Sequence, residues 1–350
     1  MLGRLLAAPI SPAASRRWRR PPGRRSAAGL ASVSRRHVLV SVNDRVLDAV
    51  RGRGDLSVDV PPGRAGNNHP ERRRNVILDA LLGSVSTAPS LRPAPAAGSL
   101  EAGELVHTEG FVHFLGSAFR RWETELQGDA SYRLPQHEEV ALVPFHCVKS
   151  ERPRAPGLAA EFACYASDFE TPILESTASA LRDDLGVVLA ATDLVRSGAA
   201  GAAYALTTHP GHHSGPGYFG GFCYINGASV ACALLARSGL QPALLDLDFH
   251  GGNGSFDIAD RTGTWFRSIN CAGAYPWVDM GGQGVELPPG TGWEGGYAAA
   301  LRGALEAMPA EAGALVVSLG YDTLASDPEA GKRAGSGLAL TASDFFAMGE

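Results

Sequence analysis

Cysteine, lysine and long apolar runs are all scarce in this sequence of 350 residues. The five cysteines are scattered and odd in number, and no Cys-x-x-Cys pair occurs, so neither a disulfide framework nor a thiolate metal site is indicated. No apolar run reaches the roughly 18 residues that a membrane-spanning helix needs, so we expect no membrane partner. The cysteines are therefore interpreted as reduced thiols, mostly buried as small hydrophobic residues.

Negative charge is absent from the first 43 residues, which contain nine arginines and neither Asp nor Glu. Because the formal net charge is −5, removing those nine positive charges leaves −14 on residues 44–350. An acidic body suits a cationic substrate or partner and matches the phosphate backbone poorly, so we expect no direct nucleic-acid binding. The oligomeric state stays open, with a homodimer as one option.

The segment 1–36 is rich in arginine, alanine, serine and proline, a composition typical of an organelle transit peptide. A disordered extension, or a start codon placed too far upstream, explains it equally well. We therefore expect an extension over residues 1–36 and one domain over residues 37–350. The expected location is the cytoplasm, or a mitochondrion or plastid if the segment is a genuine transit peptide.

Hydrophobic periodicity predicts alternating strands and helices from Thr177 onwards. This alternation predicts an α/β fold with a mostly parallel central sheet that helices cover on both faces. In such folds ligands bind beyond the C-terminal ends of the strands. The predicted strands are Ala203–Thr208, Ala243–Phe249, Trp265–Ile269 and Ala314–Leu319, and the predicted helices are Thr177–Ser197, Asn226–Ser238 and Gly296–Met308.

The run Leu244-Leu245-Asp246-Leu247-Asp248-Phe249-His250 is the most informative in the chain. Side chains alternate along a strand, so we expect Asp246, Asp248 and His250 to project to the same side. Two buried carboxylates beside an imidazole are most easily explained by a cation among them. The alternative is a solvated acidic loop, which is disfavoured because the residues that lead into the motif are apolar and indicate burial.

Adjacent His212 and His213 lie in a glycine- and proline-rich loop after a predicted strand. Such a pair can act as general base and acid, although a polar surface loop is the plainer interpretation. The segment 220–226 that follows suggests a backbone wall with Phe222 lining a channel, or else a turn with Phe222 in the core. Asp322 follows the last predicted strand and can meet Asp248 across the sheet, or serve as a cap or turn residue.

Together these motifs resemble the histone deacetylase and acetylpolyamine amidohydrolase family. The resemblance covers about residues 38–349, and Asn253 together with the Thr-Pro-Ile element favours its class II and polyamine branch. The matching motifs are Asp168-Phe-Glu-Thr-Pro-Ile173, Pro210-Gly-His-His213, Gly221-Phe-Cys-Tyr-Ile-Asn226, Asp246-Leu-Asp-Phe-His250, Gly252-Asn-Gly254 and Leu319-Gly-Tyr-Asp-Thr323.

The resemblance implies an arginase-like three-layer α/β fold that hydrolyses an acetylated amine, either an acetylpolyamine or acetyl-lysine, with one catalytic Zn²⁺. It implies a K⁺ near Asp246 and Ser268, although an ordinary strand serine is as good an explanation of Ser268. It also implies His213 as general base and His212 as an electrostatic partner. By the same match, the zinc ligands are Asp248, His250 and Asp322, the histidine partners are Asp246 and Asn253, and the substrate tunnel is lined by Gly221 and Phe222.

The sequence departs from the family at three points. Gly251 stands where the family usually has a second histidine after His250, and since that position is not a family zinc ligand we expect little effect. Thr208 and His209 stand where the family commonly has arginine and proline, which we expect to alter the support of the histidine loop. The family also has a late glycine-rich loop whose tyrosine stabilises the oxyanion, and no tyrosine follows Tyr321. Tyr297 lies too early and is expected to be structural. A truncated gene prediction, a fragment and a degenerate enzyme each explain the difference, and we favour truncation, so that the domain is C-terminally incomplete.

Three hypotheses about function follow. The leading one is a zinc-dependent deacetylase, with the acidic body leaning towards a cationic polyamine. The second is a catalytically impaired protein that binds acetylated ligands, which the missing tyrosine supports. The third is a two-manganese ureohydrolase, which Gly251 and Asn253 disfavour because they replace the nearest further ligands.

Overall fold

The computed structural model describes residues 98–126, 142–144, 146–150, 153, 155–327 and 337–349, and the backbone of a strand at 37–40. The expected extension over residues 1–36 lies outside the described residues, so its nature stays a prediction. Within the described ranges, no helix combines the length and the apolar character that crossing a membrane requires.

Six strands in the described part of the chain form two sheets, and every pairing within them is parallel. One sheet pairs β1 with β2, and the other has the order β5-β4-β3-β6. The predicted parallel α/β architecture is therefore confirmed. The strands are β1 His37–Val40, β2 Ala202–Ala205, β3 Pro242–Asp246, β4 Trp265–Cys271, β5 Gly284–Leu287 and β6 Ala314–Ser318.

The described α-helices include three close to their predicted bounds, namely α3, α4 and α6. Helices α2, α5 and α7 and strand β5 were not predicted, because each is too short to show a clear hydrophobic period. The helices are α1 Glu109–Leu126, α2 Leu158–Tyr165, α3 Thr177–Arg196, α4 Gly227–Arg237, α5 Asn253–Thr262, α6 Ala298–Glu306 and α7 Ala342–Met348. Segments Leu100–Leu105 and Gly281–Gln283 are 3₁₀ helices, and Trp293–Tyr297 is a π-helical turn that leads into α6.

Helices cover both faces of the four-stranded sheet, as the neighbours of one pair of residues demonstrate. Leu244 and Leu245 are adjacent on β3 and therefore point to opposite faces. Leu244 packs in a cluster with Cys232 of α4 and Ala259 of α5. Leu245 packs in a cluster with Leu301 of α6. The result is a layer of helices, the sheet, and a second layer of helices.

An aromatic cluster forms the largest core of the described residues. Phe114 of α1 is fully buried, and its ring lies 5.2 Å from that of Phe162 and 5.3 Å from that of Tyr165, centroid to centroid. Phe219, which is also fully buried, lies 6.2 Å from Phe114. Because Phe219 belongs to the loop that carries His212 and His213, this cluster anchors the loop to helices α1 and α2.

Local signals set several helix ends. The side chain of Asn226 accepts a hydrogen bond of 3.0 Å from the backbone N–H of Ser229 and so caps α4. Helix α5 ends at Gly263, whose φ of 70° is a left-handed conformation that glycine adopts without strain. Helix α7 begins with a capping box between Thr341 and Asp344.

Replacing Phe114 with alanine is expected to destabilise the protein by about 3–5 kcal/mol, because the cavity left in a packed aromatic cluster cannot collapse fully. Phe346, which is 78% exposed, supplies the matched control, and Phe346→Ala is expected to cost less than about 0.5 kcal/mol. Urea denaturation of both variants measures the free energies of unfolding. Equal losses in the two variants would contradict the assignment of this cluster as the core.

Candidate active site

Three potential metal ligands meet at one edge of the sheet. One ligand atom each from Asp248, His250 and Asp322 lies within 4.8 Å of the other two. The Nδ1 atom of His250 is 3.1 Å from Oδ1 of Asp248 and 3.0 Å from Oδ2 of Asp322. Asp248 and His250 follow β3, whereas Asp322 follows β6, and these strands are parallel neighbours. Their carboxyl ends therefore deliver the three side chains to the same place.

The prediction of a single strand through Ala243–Phe249 is wrong, because β3 ends at Asp246. Asp248 and His250 lie in the bend that follows, so strand alternation does not explain why they share a side. Two hydrogen bonds from backbone N–H groups to side-chain carboxylates explain it instead. Oδ1 of Asp246 accepts from the N–H of Asp248 at 3.1 Å, and Oδ1 of Asp248 accepts from the N–H of His250 at 2.8 Å. Each carboxylate thus accepts from the N–H two residues further on and so stabilises a turn of the backbone.

Gly320 leaves room for the cluster. A Cβ atom built at this position would lie 2.3 Å from Oδ2 of Asp248 and 2.6 Å from Oδ1 of Asp322. Any other residue here would collide with both carboxylates, so the close approach of the chain requires glycine.

Electrostatics in the cluster are dominated by burial and by crowded charge. Burial and the neighbouring Asp248 raise the pKa of Asp322 to about 6. Burial lowers the pKa of His250, but the carboxylates of Asp248 and Asp322 outweigh it and raise the value to about 10. Burial also raises the pKa of Asp248, yet His212 and His250 hold it below its usual range. The imidazole therefore carries a proton that offsets part of the negative charge of the two acids, and a metal cation can take the place of that proton.

His212 and His213 lie side by side next to this cluster, with ring centroids 4.0 Å apart. Nδ1 of His212 lies 3.0 Å from Oδ2 of Asp246, and Nδ1 of His213 lies 2.8 Å from Oδ1 of Asn253. All four side chains are buried. The plainer interpretation of the pair as a polar surface loop is therefore wrong.

The two histidines differ in charge because their partners differ. Burial lowers the pKa of His212, but the charges of Asp248 and Asp246 outweigh it and raise the value to about 9. Burial and the neighbouring His212 hold the pKa of His213 well below its usual range, and the neutral amide of Asn253 offsets little of this. At neutral pH the pair therefore consists of one cationic and one neutral imidazole.

The residue pair proposed for a monovalent cation is buried as well. Asp246 and Ser268 are fully buried and face each other in the register of β3 and β4. The hydroxyl of Ser268 donates to Oδ1 of Asn270 at 3.2 Å and accepts from the N–H of Gly252 at 3.4 Å. Ser268 therefore has protein partners of its own, and both explanations of this residue stay open.

Gly221 and Phe222 border the histidine pair. A Cβ built on Gly221 would lie 2.3 Å from Cδ2 of His213, so this backbone touches the imidazole. Phe222 has a left-handed φ of 59° and is 55% exposed, so the alternative that places it in the core is wrong. The carboxylate of Asp168 accepts from the N–H of Gly221, and the hydroxyl of Thr171 accepts from the N–H of Phe222 at 2.9 Å.

The ring of Tyr275 lies 4.8 Å from that of His213, and Trp277, which is 77% exposed, lies 5.5 Å from Tyr275. The half-buried ring of Tyr275 therefore contacts both His213 and the exposed ring of Trp277. Tyr297, by contrast, is fully buried in the hydrophobic cluster that includes Leu301 of α6, and its hydroxyl has no hydrogen-bond partner among the described residues. That position agrees with the structural role expected for it.

Residues that the sequence analysis did not single out hold the histidine loop. Nδ1 of His107 lies 2.7 Å from the carbonyl oxygen of Gly215, and its Nε2 accepts from the N–H of Asn226 at 2.9 Å. Asp184 accepts from the N–H groups of Thr208 and His209, and its Oδ2 lies 2.7 Å from Nδ1 of His209. At residues 208–209, where the chain departs from the family, the hydrogen bonds to Asp184 therefore support the loop. Neither His107 nor Asp184 lies in a motif, so no sequence signal identified them.

Comparison with known proteins identifies the class. A family model described as histone deacetylase domain matches residues 68–349. The chain is 33% identical over 273 residues to an acetylpolyamine amidohydrolase of Mycoplana ramosa, covering 73% of this chain and 75% of that one. It is 32% identical over 299 residues to acetylpolyamine amidohydrolase 2 of Pseudomonas aeruginosa, covering 79% and 80%.

Structural comparison agrees. A crystal structure of acetylpolyamine aminohydrolase from Burkholderia pseudomallei superposes with a TM-score of 0.63 at 28% identity, covering 80% of each chain. The fold, the site and these similarities define a hydrolase that acts on acetylated amines. The chain belongs to the histone deacetylase family, as the resemblance of its motifs predicted.

The buried His107 predicts a pH dependence of stability. Burial lowers its pKa to about 4, so the unfolded chain binds a proton here more readily than the folded one. The stability that neutral His107 supports is complete above pH 6.5 and declines by up to about 3 kcal/mol as pH falls towards 4. His107→Gln should therefore destabilise most near pH 7 and least near pH 4, as measured by urea denaturation across this range. A constant difference would contradict the prediction.

Proposed function

We propose that this chain is a zinc-dependent deacetylase that hydrolyses an acetylated cationic amine to acetate and the free amine. The observation that carries the proposal is the meeting of Asp248, His250 and Asp322 beside a histidine pair of unequal charge. An acyl-transfer site needs both an electrophilic centre and a group that accepts a proton from water, and this arrangement offers places for both.

The donor set fits Zn²⁺. Two carboxylates and one imidazole are oxygen and nitrogen ligands of the kind that zinc prefers, and three protein ligands leave a position for water and substrate. A bound zinc ion would polarise the amide carbonyl and lower the pKa of the attacking water. Asp248, His250 and Asp322 would hold it, and the proton now on His250 would be released when it binds.

The histidine pair divides the proton chemistry. His213 is neutral because its pKa is depressed, so it can take a proton from the attacking water and pass it to the leaving amine. His212 stays cationic beside Asp246 and stabilises negative charge that develops on the substrate. Buried Asp246 and Ser268 remain part of the proposal as a site for K⁺, which would balance the carboxylate charge beneath the zinc ligands.

The substrate class is inferred from charge and from relatives. Residues 44–350 carry a formal −14, which attracts a cationic amine. The two curated relatives described above are acetylpolyamine amidohydrolases, whereas a more distant one is histone deacetylase 8 of Arabidopsis thaliana. We therefore place acetylpolyamines ahead of acetyl-lysine. The exposed ring of Phe222, beside Gly221, would flank the aliphatic arm of either substrate.

Acetate release from N-acetylputrescine and from an acetyl-lysine peptide tests the reaction and the substrate together. We expect turnover of both only with Zn²⁺, and a kcat/KM about tenfold higher for N-acetylputrescine, which corresponds to about 1.4 kcal/mol. A chelator should abolish activity and added Zn²⁺ should restore it. Thermal stabilisation by both ligands without acetate release would instead support the impaired binding protein.

Removing one proposed ligand tests the metal centre. Asp322→Asn keeps the shape but removes the charge, and we expect zinc affinity to fall more than about 100-fold, since even the outer partners of metal ligands contribute about 10–100-fold. Glu311→Gln, which changes an exposed acid at the opposite end of β6 from Asp322, is the matched control and should leave affinity unchanged. Titration with a zinc-buffering chelator measures both. Unchanged affinity in Asp322→Asn would remove this residue from the proposed ligands.

A further inference from the structure

A chain of polar contacts runs from His213 to the surface. Nδ1 of His213 lies 2.8 Å from Oδ1 of Asn253. The Nδ2 group of Asn253 donates to the hydroxyl of Tyr218 at 3.3 Å, and that hydroxyl donates to Oδ2 of Asp257 at 2.5 Å. The ammonium of Lys149 lies 4.0 Å from Oδ2 of Asp257 and 4.0 Å from the centre of the Tyr218 ring.

We propose that Tyr218 and Asp257 are positioning residues which orient the amide of Asn253 and thereby fix the tautomer of His213. The proposal rests on the proposed function, in which His213 accepts a proton through Nε2. It assigns to these two residues a role that they exert on His213 through Asn253.

The direction of each hydrogen bond follows from the one before it. A carboxylate has only acceptor atoms, so the hydroxyl of Tyr218 must donate to Asp257. Its proton is then engaged, and the oxygen can only accept from Asn253, which must turn its NH₂ group towards Tyr218. The carbonyl oxygen of Asn253 therefore faces His213, so Nδ1 carries the proton and Nε2 keeps a free lone pair.

Asparagine needs this support, whereas aspartate would not. The two ends of the Asn253 amide have the same shape, and a flip would turn the NH₂ group towards His213. Nδ1 would then have to accept, Nε2 would carry the proton, and His213 would lose its ability to act as base. A carboxylate at position 253 offers an acceptor in either orientation, so nothing would need to orient it.

The surrounding structure holds the members of this chain in place. Asn253 and Asp257 are four residues apart on α5 and so lie on the same side of the helix. Tyr218 is buried, and its ring lies against Gly215, where a built Cβ would lie 2.2 Å from Cε1 of the ring. Burial and the charge of Asp257 raise the pKa of Tyr218, so its hydroxyl keeps the proton that it donates.

A double-mutant cycle tests the proposal in the full-length, zinc-loaded protein. Tyr218→Phe is expected to lower kcat for N-acetylputrescine about tenfold, the effect of losing one orienting hydrogen bond, with KM unchanged within about twofold. In the Asn253→Asp background the same substitution should lower kcat by less than about twofold, because the carboxylate needs no orientation. Equal losses in both backgrounds would overturn the proposal, since they would show that Tyr218 acts through packing.

Asp257→Ala has a matched control on the same helix. We expect it to lower kcat in the same direction as Tyr218→Phe, whereas Asp260→Ala, which removes an exposed charge three residues away, should change kcat by less than about twofold. Similar losses in the two variants would show a general effect of helix charge and would overturn the role of Asp257.

Nitrogen-15 NMR of the histidine rings reads the tautomer without any activity. His213, assigned by the loss of its signals in His213→Gln, should carry its proton on Nδ1 in the native chain and populate both tautomers in Tyr218→Phe. Retention of the Nδ1–H tautomer alone in Tyr218→Phe would overturn the proposal. If the native protein releases no acetate from either substrate, the proposed function fails, but the NMR result still decides the role of Tyr218.

Discussion

Crowding of negative charge at one edge of a parallel sheet is the constraint on which the rest of this structure depends. Asp246, Asp248 and Asp322 approach one another from two neighbouring strands, and Asp246 and Asp248 are buried while Asp322 is half-buried. Uncompensated, such a cluster would be strongly unfavourable. The fold compensates with a protonated His250, with a cationic His212, and with a backbone that approaches the acids only because Gly320 has no side chain. A divalent cation fits the same electrostatic need.

The inequality of His212 and His213 arises from the same constraint. The acids hold a proton on His212, and that charge in turn disfavours a proton on His213, whose own partner is neutral. Two identical side chains, adjacent in sequence, thus acquire opposite protonation because one faces a carboxylate and the other an amide. The amide of Asn253 has two different ends, so a neighbouring group must determine whether its oxygen or its NH₂ group faces His213. A carboxylate at this position would have no such requirement.

The chain belongs to the histone deacetylase family by similarity over most of its length. The contacts that hold its histidine loop in place nevertheless include residues that lie outside the matching motifs. Nδ1 of His209 lies 2.7 Å from Oδ2 of Asp184, and the His209 ring lies 5.0 Å from that of Tyr224. His107 bridges Gly215 and Asn226, the two sides of that loop, through both ring nitrogens. Such supports keep the reactive side chains in place while the sequence around them varies.

The sequence by itself determined the family, the alternation of strands and helices, and the residue types that carry the chemistry, because hydrophobic period and short motifs are local properties of the chain. It did not determine where β3 ends, because the turn after Asp246 depends on hydrogen bonds to the carboxylates of Asp246 and Asp248. Such bonds produce no hydrophobic periodicity in the sequence. Nor did it identify His107, Asp184, Tyr218 or Asp257, whose partners are distant in sequence. Tertiary structure alone decided those contacts, together with the pKa values of the histidines, because burial and the distance between charges exist only once the strands have brought them together.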